Sequence, residues 1–183
     1  IISRALGAEN PARAFRAFGN QIMMTVTLAA VVVGIGFFFQ NEVLGLFGAK
    51  GGILPPSQDY FKAVLPGIPF LAWSMMSNNV IRAEGRAAIA MMTMIIPAII
   101  NIVLDPIFIV WLDMGIYGAG LATAISYVAS AAFSIGYFLF GGGELEFKLK
   151  HIIFTPSIVW EITTIGFPTF ARQGVIRDRK SVV

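Results

Sequence analysis

Asp105 lies in an apolar stretch, Ala87 to Leu112, that contains no other charged side chain. In lipid a carboxylate at that depth costs at least a few kcal/mol unless a partner, water or a proton compensates it. Asn101 is four residues earlier, on the same helical face, and Pro106 follows directly. A carboxylate and an amide beside a residue that lacks a backbone donor point to a site for a cation or a proton.

Thr123 extends the site. The stretch beginning at Gly115 runs back antiparallel to the one carrying Asp105, which places Thr123 about 12 Å below its outer end and Asp105 about 10 Å below its own. Carboxylate, amide oxygen and hydroxyl at one depth suit a hard cation such as Na⁺. They equally suit a protonatable Asp held by hydrogen bonds. The plainer alternative is that Asp105 caps a kink at Pro106 while Asn101 and Thr123 bond backbone. Pro97 and Pro106 are both hinge candidates, because proline frees carbonyls and bends a helix. Ser74, Ser77, Asn78 and Asn79 give an earlier apolar stretch a polar end that either lines a cavity or bonds between helices; Tyr127 is a further cavity-lining candidate. Gly118, Ala122, Ser126, Ser130 and Ser134 recur every four residues, a small-residue stripe suited to close helix packing. Met75, Met76, Met91, Met92 and Met94 read as adaptable apolar filler.

These residues need membrane helices to hold them. The chain is 57% hydrophobic and 13% charged, with a mean hydropathy of +0.79, against about 25% charged in soluble domains. Four stretches reach the roughly 20 residues that cross a bilayer: Phe18–Phe39, Ala63–Ile81, Ala87–Leu112 and Gly115–Phe140. A fifth begins near Ile158 and is interrupted by Glu161, Pro168 and Arg172. The expected fold is therefore an all-α polytopic membrane bundle with four full spans and part of a fifth. Gly45–Asp59, rich in Gly and Pro, reads as an irregular external loop, and Glu144–His151 as a short amphipathic segment at the interface. Arg4, Arg13, Arg16, Arg82, Arg86, Lys148 and Lys150 fall on one side of these spans and Lys50 and Lys62 on the other, so the positive-inside bias places the first group in the cytoplasm. Asp105 is then in the outer half of the membrane.

Several chemistries are unsupported. The chain has no cysteine and one histidine, His151, in a predicted loop. Gly141-Gly142-Gly143-Glu144 lacks the Lys-Ser/Thr pair of a phosphate-binding loop. Paired catalytic groups are missing, so no enzyme and no cofactor is expected. The net charge of +3 is spread over several loops, which argues against nucleic-acid binding.

Five segments together resemble the multidrug and toxic compound extrusion (MATE) transporters: Ser3-Arg4-Ala5-Leu6-Gly7, Ile81-Arg82-Ala83-Glu84-Gly85-Arg86, Asn101 to Ile109, Gly115 to Thr123, and Gly166-Phe167-Pro168. The resemblance implies two six-helix bundles, with the spans here corresponding to helices three to six and the start of helix seven. It implies residues 1–143 in the N-terminal bundle, 144–157 as a cytoplasmic linker and 158–177 as the start of the C-terminal bundle. In the branch most resembled, an Asp on helix one joins the equivalents of Asn101, Asp105 and Thr123 in a cation or proton site. Residues 178–183 resemble the translation of a sequencing adapter and are expected to be an artefact on a piece of a longer protein.

The function so implied is secondary antiport: export of amphipathic, often cationic, drug-like small molecules driven by inward H⁺ or Na⁺. The expected setting is the lipid bilayer of a plasma membrane, most simply a prokaryotic inner membrane, with the full-length protein a monomer. Two other readings remain open at this point. One is a lipid-linked oligosaccharide flippase of the wider superfamily, whose cavities tend to carry Arg and Lys that are missing mid-span here. The other is a non-transporting membrane assembly subunit in which Asp105 is a buried structural group.

Overall fold

In the computed structural model of the chain, the described residues are 1–140, 143, 145 and 155–166. Among them every regular element is a helix. The chain divides into two compact units, Ile1–Met23 with Lys148–Val183, and Met24–Phe147.

In the first unit α1 (Ile2–Gly7) buries Ile2 and Ala5. It is followed by the start of α2 (Pro11–Phe38), whose first position is the proline that a helix tolerates there. Asn10 caps it, its Oδ1 accepting from the Arg13 N–H at 3.1 Å. Residues 156–166 form a further helix, α8. Arg13 pairs with Glu161 at 3.0 Å, and the Thr155 N–H donates to Asn20 Oδ1 at 2.9 Å. Glu161 thus lies inside helix α8 and does not interrupt it. Pro168, Arg172, His151, the interfacial segment expected over Glu144–His151 apart from Leu145, and the terminal six residues lie outside the described residues.

The second unit holds the rest of α2, then α3 (Gln40–Leu46), α4 (Leu54–Val64), α5 (Ile68–Ala83), α6 (Ala87–Pro106) and α7 (Gly115–Phe140). Helix α7 is its centre and packs on α4, α5 and α6. Small residues make this possible. A Cβ on Gly120 would lie 2.8 Å from the Tyr60 carbonyl of α4, and one on Gly67 would lie 2.8 Å from the Ala124 Cα of α7. All five residues of the Gly118–Ser134 stripe are buried.

Three helical stretches are long and apolar enough to cross a membrane among the described residues: Pro11–Phe38, Ala87–Trp111 and Gly115–Phe140. The stretch expected to cross at Ala63–Ile81 is built differently. A 3₁₀ turn at Leu65–Gly67 separates α4 from the 16-residue α5. Pro66 and Pro69 cannot donate to the Lys62 and Leu65 carbonyls, so a regular α ladder cannot pass through them. The loop expected over Gly45–Asp59 is also mostly helical. Pro55 and Pro56 occupy the first turn of α4, where no intrahelical donor is required. Of the methionines expected as apolar filler, Met76 is buried, and Met75, Met91, Met92 and Met94 are exposed.

Candidate functional site

Helix α6 carries Thr93, Pro97, Asn101 and Asp105 at four-residue intervals, one stripe along its side. Pro106 does not end the helix. The chain widens into a π turn over Ile107–Trp111, with the Leu112 N–H bonded to the Ile107 carbonyl at 2.9 Å. Such turns accommodate a register that an α-helix cannot and recur at functional sites. Asp113, at φ +52°, and Gly115, at φ +57°, then reverse the chain into α7.

The reversal brings Asn101, Asp105 and Thr123 together, all half-buried. Asn101 Nδ2 lies 3.3 Å from Asp105 Oδ1 and 3.4 Å from Thr123 Oγ1. The Thr123 hydroxyl donates in turn to the Ala119 carbonyl at 2.9 Å. Both amide contacts are longer than the usual 2.9–3.0 Å. Asn101 is the hub of the cluster, the one side chain bonded to both others. Here the amide presents N–H groups to Asp105 and Thr123; with the amide turned over, its oxygen would join theirs as an all-oxygen set carrying one negative charge. No group of three or more His, Cys, Asp or Glu side chains suited to a metal ion occurs among the described residues.

The other candidates lie about two turns nearer the start of α6. A cavity of about 370 Å³ between α5, α6 and α7 is lined by Ser74, Asn78, Thr93, Pro97, Tyr127 and Ser130, with apolar walls from Leu71, Met75 and Met94. Asn78 both lines it and bonds across helices, its Nδ2 donating to Thr93 Oγ1 at 2.9 Å and to the Ala90 carbonyl at 2.6 Å. Arg82 donates to Asn78 Oδ1 at 3.0 Å. Ser74 differs: its hydroxyl is buried with no hydrogen-bond partner among the described residues, as is that of Ser77.

Two features escaped the sequence reading. Ser130 crosses from α7 to bond the Thr93 carbonyl at 2.6 Å, whereas its place in a small-residue stripe signalled only packing. Glu84, in the turn between α5 and α6, accepts from Tyr137 Oη at 2.7 Å and from the Leu145 N–H at 2.8 Å. Its place in the Ile81–Arg86 motif was the available signal.

The model of the MatE family matches residues 1–107, more than half of the sequence. The chain belongs to this family. The Multidrug export protein MepA of Staphylococcus aureus (strain bovine RF122 / ET3-1) is 31% identical over 169 residues, covering 92% of this chain and 38% of that protein. MepA of Staphylococcus haemolyticus (strain JCSC1435) is 32% identical over 169 residues, 92% of this chain and 37% of that protein. This MatE chain therefore spans well under half the length of the curated relatives it matches. Among solved structures, the inward-facing conformation of a multidrug resistance MATE family transporter of the MOP superfamily superposes with a TM-score of 0.84 at 26% identity, over 91% of this chain and 38% of that one. The outward-facing conformation gives 0.83 at the same identity, over 91% and 37%. The chain is thus part of a MATE-type membrane helix bundle.

Proposed function

We propose that the full-length protein is a secondary antiporter that exports amphipathic and cationic organic compounds against an inward flow of H⁺ or Na⁺. The observation that carries this reading is the Asn101 amide, which joins the Asp105 carboxylate to Thr123 on the facing helix. A carboxylate on an apolar helix is costly when charged and unneutralised, so its occupancy by a cation alters the energy of the α6–α7 contact. Asp105, Asn101 and Thr123 bind the cation or proton. Where the ion is Na⁺, the three supply oxygen ligands and the ion is cargo. Pro97 and Pro106, each lacking a backbone donor, are the hinges of α6, and the π turn after Pro106 is the segment most able to change register.

The cavity beside Ser74, Asn78 and Tyr127 takes the organic substrate. Its apolar walls with a few polar groups suit an amphipathic molecule, and similarity to the multidrug export protein MepA supports multidrug export. No cofactor takes part. Residues 1–143 belong to the N-terminal bundle, 144–157 to the cytoplasmic linker and 158–177 to the start of the next bundle, in a monomer spanning the plasma membrane of a prokaryote. The distribution of Lys and Arg supports an orientation with the Arg82–Arg86 turn inside.

The test is efflux of a fluorescent organic cation by the complete protein carrying Asp105→Asn, under imposed Na⁺ and pH gradients. Loss of gradient-driven export with the protein still in the membrane is expected. Export at the native rate in Asp105→Asn would overturn the assignment of the cation site.

A further inference from the structure

Helices α6 and α7 are joined at two heights. At one, the Asn101 amide meets Thr123 Oγ1. At the other, Ser130 Oγ donates to the Thr93 carbonyl at 2.6 Å. The two contacts are eight residues apart along α6 and seven apart along α7, about 12 Å and about 10.5 Å of helix rise. Antiparallel helices in register must match these lengths, and they do.

The lower contact has a cause in the sequence. In a regular helix the Thr93 carbonyl accepts from the N–H of residue 97, and residue 97 is a proline without one. An unpaired carbonyl in a nonpolar setting is costly. Ser130, 1% exposed, supplies the missing donor from the facing helix. The vacancy exists at one residue of α6 in this stretch, so the bond fixes which residue of α7 stands opposite Thr93. Two turns on, the same register sets Asn101 opposite Thr123.

We propose that Ser130 is a positioning residue: by bonding the carbonyl that Pro97 leaves without a donor, it sets the register of α6 on α7 that assembles the Asn101–Asp105–Thr123 site. Thr93, Pro97 and Ser130 also line the cavity, so one helix pair carries the cavity wall at one height and the cation site at the other. The positioning role rests on the cation-site reading given above; the hydrogen bond and its dependence on Pro97 do not.

The test is a cycle of Ser130→Ala, Pro97→Ala and the double variant in the full-length protein. Thermal unfolding in detergent reads the bond. Ser130→Ala lowers the melting temperature by roughly 1–3 °C with Pro97 present, the effect of about one hydrogen bond in the full-length protein, and by much less after Pro97→Ala, which returns a helical donor to Thr93. Equal losses in both backgrounds would overturn the proposed dependence. If Ser130→Ala fails to fold, folding of the double variant supports the bond and failure of both overturns it, while Ser130→Cys, a weaker donor of similar size, carries the transport assay. The positioning role is read by efflux of ethidium against stepped Na⁺ concentrations and, separately, stepped pH gradients. A roughly three- to tenfold rise in the half-saturating gradient is expected, with maximal efflux less affected. A native half-saturating gradient in a folded Ser130 variant overturns the role. Normal export by Asp105→Asn instead overturns the cation-site reading and leaves the unfolding result standing.

Discussion

Tyr137, near the end of α7, donates its hydroxyl to Glu84 in the α5–α6 turn at 2.7 Å, and the same carboxylate accepts the Leu145 N–H at 2.8 Å. Glu84 thereby fastens three separate points of the second unit together. Gly143 is part of the arrangement, since a Cβ there would lie 2.9 Å from Tyr137 Oη and 3.1 Å from both Glu84 oxygens. Arg86 sits 5.8 Å from the centre of the Tyr137 ring.

Tyr137→Phe removes one donor to a carboxylate and should cost about 1–2 kcal/mol of stability. Glu84→Ala removes both acceptor contacts and should cost more. Thermal unfolding of the purified protein separates the two. An unchanged melting temperature for Glu84→Ala would show that the contact contributes nothing to the fold.

Asn101 and Thr123 should not be equivalent. Asn101 touches both other members of the cluster, whereas Thr123 touches Asn101 and its own helix. Asn101→Ala should therefore weaken cation-driven efflux more than Thr123→Ala, by roughly tenfold or more in the half-saturating gradient for the loss of two polar contacts. Efflux assays under stepped gradients give the ranking, and a larger effect from Thr123→Ala would contradict the hub role.

The buried hydroxyls of Ser74 and Ser77 have no partner among the described residues. Removing an unpaired buried polar group, and replacing Ser by the better helix former, should stabilise Ser77→Ala by up to about 1 kcal/mol. Ser74→Ala should be similarly tolerated in melting but should alter which compounds are exported, because Ser74 lines the cavity. Unfolding curves and a substrate panel for both variants check the contrast.

Glycines along the α7 interface divide sharply. Gly120→Ala would push a methyl to 2.8 Å from the Tyr60 carbonyl and 2.7 Å from Ala63 Cβ, whereas a Cβ on Gly136 meets nothing within 4 Å. The first should cost about 1–3 kcal/mol by overpacking. The second should be neutral or stabilising by up to about 1 kcal/mol. Paired melting measurements test this.

Much of this was legible from residue types alone. Gly115–Phe140 matches α7 end to end, because an uninterrupted apolar run without proline has one low-energy conformation in lipid. Asp105 and Asn101 could be paired in advance because four-residue spacing is a property of any α-helix. What remained hidden were consequences of backbone groups finding distant partners. Local sequence says that Pro97 strips a donor from Thr93, but not that Ser130, 37 residues on, replaces it. It says that Pro106 disturbs α6, but not that the helix answers with a π turn instead of a break. Pro66 and Pro69 likewise lie in a stretch apolar enough to read as a single span, which a 3₁₀ turn divides. Hydrophobicity and periodicity thus determined the long apolar helices and which polar residues share a face, but not the helix over Leu54–Val64. The tertiary structure decided which faces meet, because helix register is set by contacts between residues far apart in the chain.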